Sequence, residues 1–188
     1  QKPSSEILDL VEFDRPPSVI YDNNKDYLIF LYRSNYKSIE ELSTKELRLA
    51  GLRINPKTNI GSRITYYNNI KLKDFNDSKA DPKEIVGMPK NPKISNLSWS
   101  PNEKMIAFTN TTDLGVELWI LNLKSNSANK VFNLKLNSNI GNVINWFADS
   151  NSLLVKVIPK DKMDLIESTN VVPSGPTISS NFGEKAQN

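Results

Sequence analysis

Asn96-Leu97-Ser98-Trp99, then Ser100-Pro101-Asn102-Glu103-Lys104, then Met105-Ile106-Ala107-Phe108-Thr109 is the stretch on which the fold turns. Two short apolar runs flank a Pro/Asn turn. A polar stretch follows, then Val116-Glu117-Leu118-Trp119-Ile120-Leu121, a turn at Lys124-Ser125-Asn126-Ser127, and a last run at Lys130-Val131-Phe132. Four β-rich runs punctuated by Pro, Asn and Ser predict four antiparallel strands.

The opening recurs. Ile144-Asn145-Trp146-Phe147, turn Ala148-Asp149-Ser150-Asn151 and Leu153-Leu154-Val155-Lys156-Val157 repeat it, with Trp146 following Trp99 by 47 residues. A β-propeller blade takes roughly 40–50. An earlier copy reads Ser18-Val19-Ile20-Tyr21, turn Asp22-Asn23-Asn24-Lys25, then Tyr27-Leu28-Ile29-Phe30-Leu31. Its second half comes later, as Ile70-Lys71-Leu72-Lys73, turn Phe75-Asn76-Asp77-Ser78 and Glu84-Ile85-Val86. The expected architecture is all-β: an N-terminal segment over 1–16, then the first two to three blades of a partial β-propeller over 17–188. Chance likeness between hairpins of a β-sandwich is the weaker alternative, because aromatic position, turn and apolar strand recur in order.

A blade cannot bury both faces alone, and closed propellers take about four to eight blades. The sequence-based expectation is therefore a partner, the remainder of the same protein with its further blades. The polar end, Glu184-Lys185-Ala186-Gln187-Asn188, reads as a cut chain, and Ser179-Ser180-Asn181-Phe182-Gly183 as an exposed linker.

An insertion at about 34–63 interrupts the first blade. Ser38 and Glu41 have capping-box spacing, Ile39, Leu42 and Leu49 recur at approximately helical intervals, and Gly51 suits a left-handed stop. These features predict a short helix, followed by a strand at Leu52-Arg53-Ile54 and a turn over Asn55-Pro56-Lys57-Thr58-Asn59. An insertion between blade strands projects from one end of a repeat fold, where ligands gather. Arg48, Arg53 and Arg63 are therefore candidate substrate-binding residues, able to grip a carboxylate. The competing reading, favoured for surface charges, has them solvated or paired with Glu40, Glu41 and Glu46.

Composition narrows the chemistry. Among 188 residues there are no His and no Cys, so no Ser-His-Asp triad, thiolate nucleophile, imidazole ligand or disulfide can be built from this chain. No catalytic residue, metal site or cofactor is assigned. A net charge of +3 does not predict a nucleic-acid partner. No apolar run approaches the ~20 residues of a membrane helix. Asp149, Asp161 and Asp164 lack the glycine and terminal Glu of a calcium loop. Trp99, Trp119 and Trp146, at repeated strand positions, are expected to pack in the core rather than stack on a ligand.

Trp99-Ser100-Pro101-Asn102-Glu103-Lys104 with Ile106-Ala107-Phe108 and Glu117-Leu118-Trp119 is similar to the blade signature of the prolyl oligopeptidase family, the S9 serine peptidases. The run from Glu46-Leu47-Arg48-Leu49-Ala50-Gly51 through Leu52-Arg53-Ile54-Asn55-Pro56-Lys57-Thr58-Asn59, with Val172-Pro173-Ser174-Gly175-Pro176, resembles its glutamyl endopeptidase branch. Lys2-Pro3, Glu6-Ile7, Ser62-Arg63 and Tyr66-Tyr67 add to the likeness. The resemblance implies an N-terminal propeller that gates peptide substrates toward a C-terminal α/β-hydrolase domain holding Ser, Asp and His. None of that domain is in this sequence. The alternative is a non-catalytic periplasmic propeller that scaffolds or binds. The Lys- and Asn-rich composition and the start at Gln1 suggest an exported, periplasmic protein.

Overall fold

The aromatic-turn-apolar unit folds as the same hairpin three times. A computed structural model describes residues 3–131, 133 and 135–161. In it Tyr21 faces Leu28, Trp99 faces Ile106 and Trp146 faces Leu153 across the hairpins. Four residues after each aromatic, Lys25, Glu103 and Ser150 have φ of 58°, 58° and 59°. Each donates its backbone N–H to the carbonyl three residues back, on Asp22, Ser100 and Phe147, at 3.1, 2.8 and 3.1 Å. None of the three is glycine, and each pays the cost of the left-handed region, roughly 1–2 kcal/mol. One turn geometry thus recurs at matching positions under different side chains.

In chain order the elements are α1 (Ser5–Val11), β1 (Ser18–Tyr21), β2 (Tyr27–Tyr32), α2 (Ile39–Ser43), β3 (Leu47–Leu49), β4 (Leu52–Asn55) and β5 (Ile60–Gly61). Then come β6 (Asn69–Asp74), β7 (Lys83–Glu84), β8 (Ile94–Trp99), β9 (Met105–Thr112), β10 (Gly115–Asn122), β11 (Ser127–Lys130), β12 (Ile144–Trp146) and β13 (Leu153–Val155). The strands form two four-stranded sheets, β1-β2-β6-β7 and β8-β9-β10-β11, and a two-stranded sheet, β12-β13. The insertion builds its own sheet, β3-β4-β5. Among the described residues every ladder between these strands is antiparallel, with isolated parallel bridges at Ile60–Ser138 and Val86–Ser127. These elements belong to one unit that ends at Ile158.

Successive sheets pack face to face. Ile29, Leu31, Ile70 and Leu72 of the first meet Ile106, Phe108 and Leu121 of the second. The opposite face of the second sheet offers Ala107, Val116 and Leu118 to Val143 and Ile144 at the start of the third. Alternation along β9 makes this possible: Ile106 and Phe108 point one way and Ala107 the other. Residues Ile106 through Thr111 of β9 are all buried as a result. Burying each large apolar side chain contributes about 1.5–3 kcal/mol. The fold is all-β and partial-propeller-like. Trp99 and Trp119 pack against the first core and Trp146 against the second. The polar edge of Trp146 is satisfied by Ser98 O at 3.1 Å, and that of Trp119 by Glu117 Oε2 at 3.0 Å.

Three expectations need correction. The capping box forms, but α2 stops at Ser43, and Leu49 lies on a strand. Ala50 and Gly51, with φ of 46° and 84°, make the two-residue turn between β3 and β4. Two consecutive left-handed residues suit a hairpin whose strands twist to the right, so Gly51 turns a hairpin instead of stopping a helix. The fourth strand of the second sheet, β11, starts at Ser127, inside the expected turn. Between the end of β2 at Tyr32 and the start of β6 at Asn69, the chain also packs into the core. Its Ile60 is 1% exposed within the second core, and Ser138 donates to Asn59 O at 2.9 Å. Lys2, Phe132, Asp164, Val172-Pro173-Ser174-Gly175-Pro176 and the segment Ser179–Asn188 lie outside the described residues.

Candidate functional site: a cationic cavity beside the insertion

The site begins where β2 releases the chain. From Arg33 to Lys37 the backbone leaves the sheet, and Ser38 opens α2 with a closed capping box: its Oγ accepts from Glu41 N at 3.1 Å while Glu41 Oε2 accepts from Ser38 N at 3.1 Å. The insertion returns through 64–68. Asn68 N then donates to Tyr32 O at 2.8 Å, and Tyr67 exchanges two backbone hydrogen bonds of 2.9 Å with Ile94. The exit, the return and the start of β8 are thus held together by main-chain bonds. They frame an open cavity of about 970 Å³. A smaller one of about 180 Å³ lies alongside and shares Lys37, Glu40, Glu41, Tyr66 and Lys93 with it.

The larger cavity is lined by five cations, Arg15, Arg33, Lys37, Lys71 and Lys93, and by two carboxylates, Glu40 and Glu41. Lys71 is committed to Glu84 at 2.8 Å, with its Nζ 5.4 Å from the centre of the Tyr32 ring. The hydrogen bond to Glu84 raises the Lys71 pKa, and the same bond lowers that of Glu84. Among the described residues the side chains of the other four cations make no ion pair. The Nε–H of Arg33 is buried with no hydrogen-bond partner. Glu41 is engaged by the helix start, which leaves Glu40 as the one carboxylate on the wall without a partner among the described residues. Burial pushes the Tyr66 phenol up, and the nearby Glu41 carboxylate adds to the shift. The phenol therefore stays protonated at neutral pH and acts as a neutral hydrogen-bonding group.

The three arginines read from sequence line neither cavity. Arg48 and Arg53 face each other across the β3-β4 hairpin, and Glu46 bridges them, its Oε1 accepting from Arg48 Nε at 3.0 Å and from an Arg53 terminal nitrogen at 2.8 Å. Ser62 Oγ donates to the other Glu46 oxygen at 2.7 Å. The Ser62 hydroxyl, then Arg48, hold the Glu46 carboxyl down at about 2. Arg63 is exposed and makes no ion pair among the described residues. The cavity cations escaped the sequence reading because they come from four separate places in the chain with no local motif. The signal that does exist in sequence is positional: Arg33 and Lys37 stand where the insertion leaves β2.

Chemically, the arrangement can bind and orient an anion. Among the described residues no group of three or more acidic side chains is placed to hold a metal ion. No described helix is long and apolar enough to cross a membrane.

No family model matches the chain. It is 30% identical, in a 190-position alignment that covers 95% of its length, to a protein of Oryza sativa subsp. japonica named probable glutamyl endopeptidase, chloroplastic. It is 30% identical, in a 189-position alignment, to the Arabidopsis thaliana protein of the same name, again across 95% of its length. The chain spans about a fifth of the length of these two relatives, so what it shares with them is one region of a larger peptidase-named protein.

Proposed function

We propose that this chain is the N-terminal, propeller-forming region of a glutamyl-endopeptidase-like serine peptidase of the prolyl oligopeptidase family. The observation that carries this reading is the 30% identity across 95% of the chain, combined with coverage of only about a fifth of each relative. A ring of sheets acts by exclusion. Its central opening admits extended peptides and rejects folded proteins, so a hydrolase domain elsewhere in the protein meets only flexible chains. That domain supplies the serine, the acid and the histidine, and hydrolysis runs through an acyl-enzyme. The absence of His here fits this division of labour. On this reading Arg63, exposed and outside the Glu46 cluster, is the insertion arginine free to meet a substrate carboxylate. We further propose that the protein is exported and periplasmic, although the plant relatives carry a chloroplast designation.

The test uses the full-length protein. A fluorophosphonate probe is expected to label one serine, and peptides cut after Glu are expected to outpace Pro-containing ones. A folded protein carrying the same Glu site should resist until it is unfolded. Absence of both labelling and cleavage would identify a non-catalytic propeller. Equal cleavage of folded and unfolded substrates would remove the gating role.

A further inference from the structure

We propose that the cavity of about 970 Å³ beside the insertion is a binding site for peptide carboxylates, centred on Arg33 and flanked by Lys37 and Lys93. The first argument is charge. Of the five cations on the wall, one is neutralised by Glu84, and the remaining four face two carboxylates, one of them tied to the start of α2. Clustering like charges on one concave wall opposes folding, and a bound anion relieves that repulsion. The second argument is Arg33 itself. It is half-buried, and its Nε–H is shielded from water without receiving an acceptor. That Nε–H loses hydration and gains no acceptor, a deficit of the size of a missing charged hydrogen bond. An incoming carboxylate supplies the acceptor when the side chain swings toward it.

The rest of the wall selects the kind of anion. Tyr36 and Tyr66 line it with ring surface, while Asn35 and Asn68, whose side-chain N–H groups already donate to Phe13 O and Ser34 Oγ, keep carbonyl oxygens that can accept from peptide N–H groups. No glycine lines this cavity, so the close backbone approach by which phosphate cradles work is missing. The volume is at the upper end of small-ligand sites, large enough for several residues of extended chain. A carboxylate on a peptide has two sources, an acidic side chain or the free C-terminus, and the experiment separates them. The inference does not rest on the proposed peptidase association, because it is read as binding and not as turnover.

The full-length protein is titrated against three fluorescein-labelled peptides by anisotropy, with each peptide checked intact by mass spectrometry. One has Glu side chains and an amidated C-terminus, one has Gln side chains and a free C-terminus, and one has Gln and an amide. At least one of the first two is expected to bind ten-fold or more tightly than the third, and which one does so identifies the source. Arg33→Gln should weaken that binding ten-fold or more. Lys93→Gln should weaken it several-fold and flatten its salt dependence. Lys124→Gln, in the exposed turn after β10, should leave it unchanged. Circular dichroism confirms that each variant folds. If Arg33→Gln does not fold, the Lys93→Gln result decides. Equal binding of all three peptides, or folded Arg33→Gln and Lys93→Gln proteins with unchanged affinity, would overturn the proposal.

Discussion

The backbone N–H of Asn102 donates to Ser150 Oγ at 3.0 Å, joining the turn of the second sheet's first hairpin to the matching turn of the third. The same link exists one sheet earlier. The N–H of Asn23 donates to Glu103 Oε2 at 2.9 Å, and the Asn23 side-chain amide donates to the other oxygen. Glu103 and Ser150 are the left-handed residues of their hairpins. Each sheet thus reaches back to its predecessor from one recurring backbone position, and the repeated turn sets the stagger between sheets.

Ser150→Ala is expected to destabilise the protein by about 1 kcal/mol, the usual worth of a hydrogen bond of this kind. Ser150→Gly also loses the hydroxyl but relieves the left-handed strain, and is expected to fall within a few tenths of a kcal/mol of wild type. Urea unfolding of the full-length protein measures both. A loss equal in the two variants would show that the φ of 59° carries no strain.

Phe108 is fully buried between the first two sheets and stacks on Trp119 with ring centroids 6.4 Å apart. Phe108→Ala is expected to cost about 3–5 kcal/mol, because stiff strands on both sides cannot close the cavity. The expected readout is a lower urea midpoint together with a shift in tryptophan emission.

Gly87 has φ of +80°, and a Cβ there would stand 2.6 Å from the carbonyl oxygen of Ala128. Nearby, Val86 exchanges backbone hydrogen bonds with Asn126 and Ala128, joining the first sheet to the second. Gly87→Ala therefore meets both a strained φ and a backbone clash, and should destabilise by more than about 1 kcal/mol. Hydrogen exchange at the Val86 and Ala128 amides should accelerate first.

The Glu46 cluster gives the insertion a defined acid sensitivity. The carboxyl sits near 2 in the folded protein against an ordinary 4.5. A depressed pKa contributes stability that is complete above about 4.5 and is lost as the pH falls toward 2. Hydrogen exchange across the β3-β4 hairpin should therefore quicken over that window. Ser62→Ala, which removes the largest cause of the shift, should raise the Glu46 pKa as read by NMR titration of its carboxyl carbon.

Local chemistry that repeats was readable from the residues alone. The Trp99 and Trp146 hairpins share an aromatic, a polar turn and an apolar run, and that order dictates the same turn whatever surrounds it. The Ser38 and Glu41 capping box closes within four residues and needed nothing more distant. Leu49 and Gly51 mark the limit. Leucines at helical spacing also suit a strand, and Ala50-Gly51 turns a hairpin once Arg48 and Arg53 can both lean on Glu46, a choice set by partners across the hairpin.

The all-β character and the sheet-by-sheet repeat were written in the order of residues, because strand, turn and strand are short-range decisions. The site was not. Arg15, Arg33, Lys37 and Lys93 come to line one cavity only when Tyr67 pairs with Ile94 and Asn68 with Tyr32, joining segments far apart in the chain. Likewise Glu46 selected Arg48 and Arg53 as partners through the geometry of a hairpin that no local pattern announced, since an ion pair depends on distance in space and not on separation along the chain.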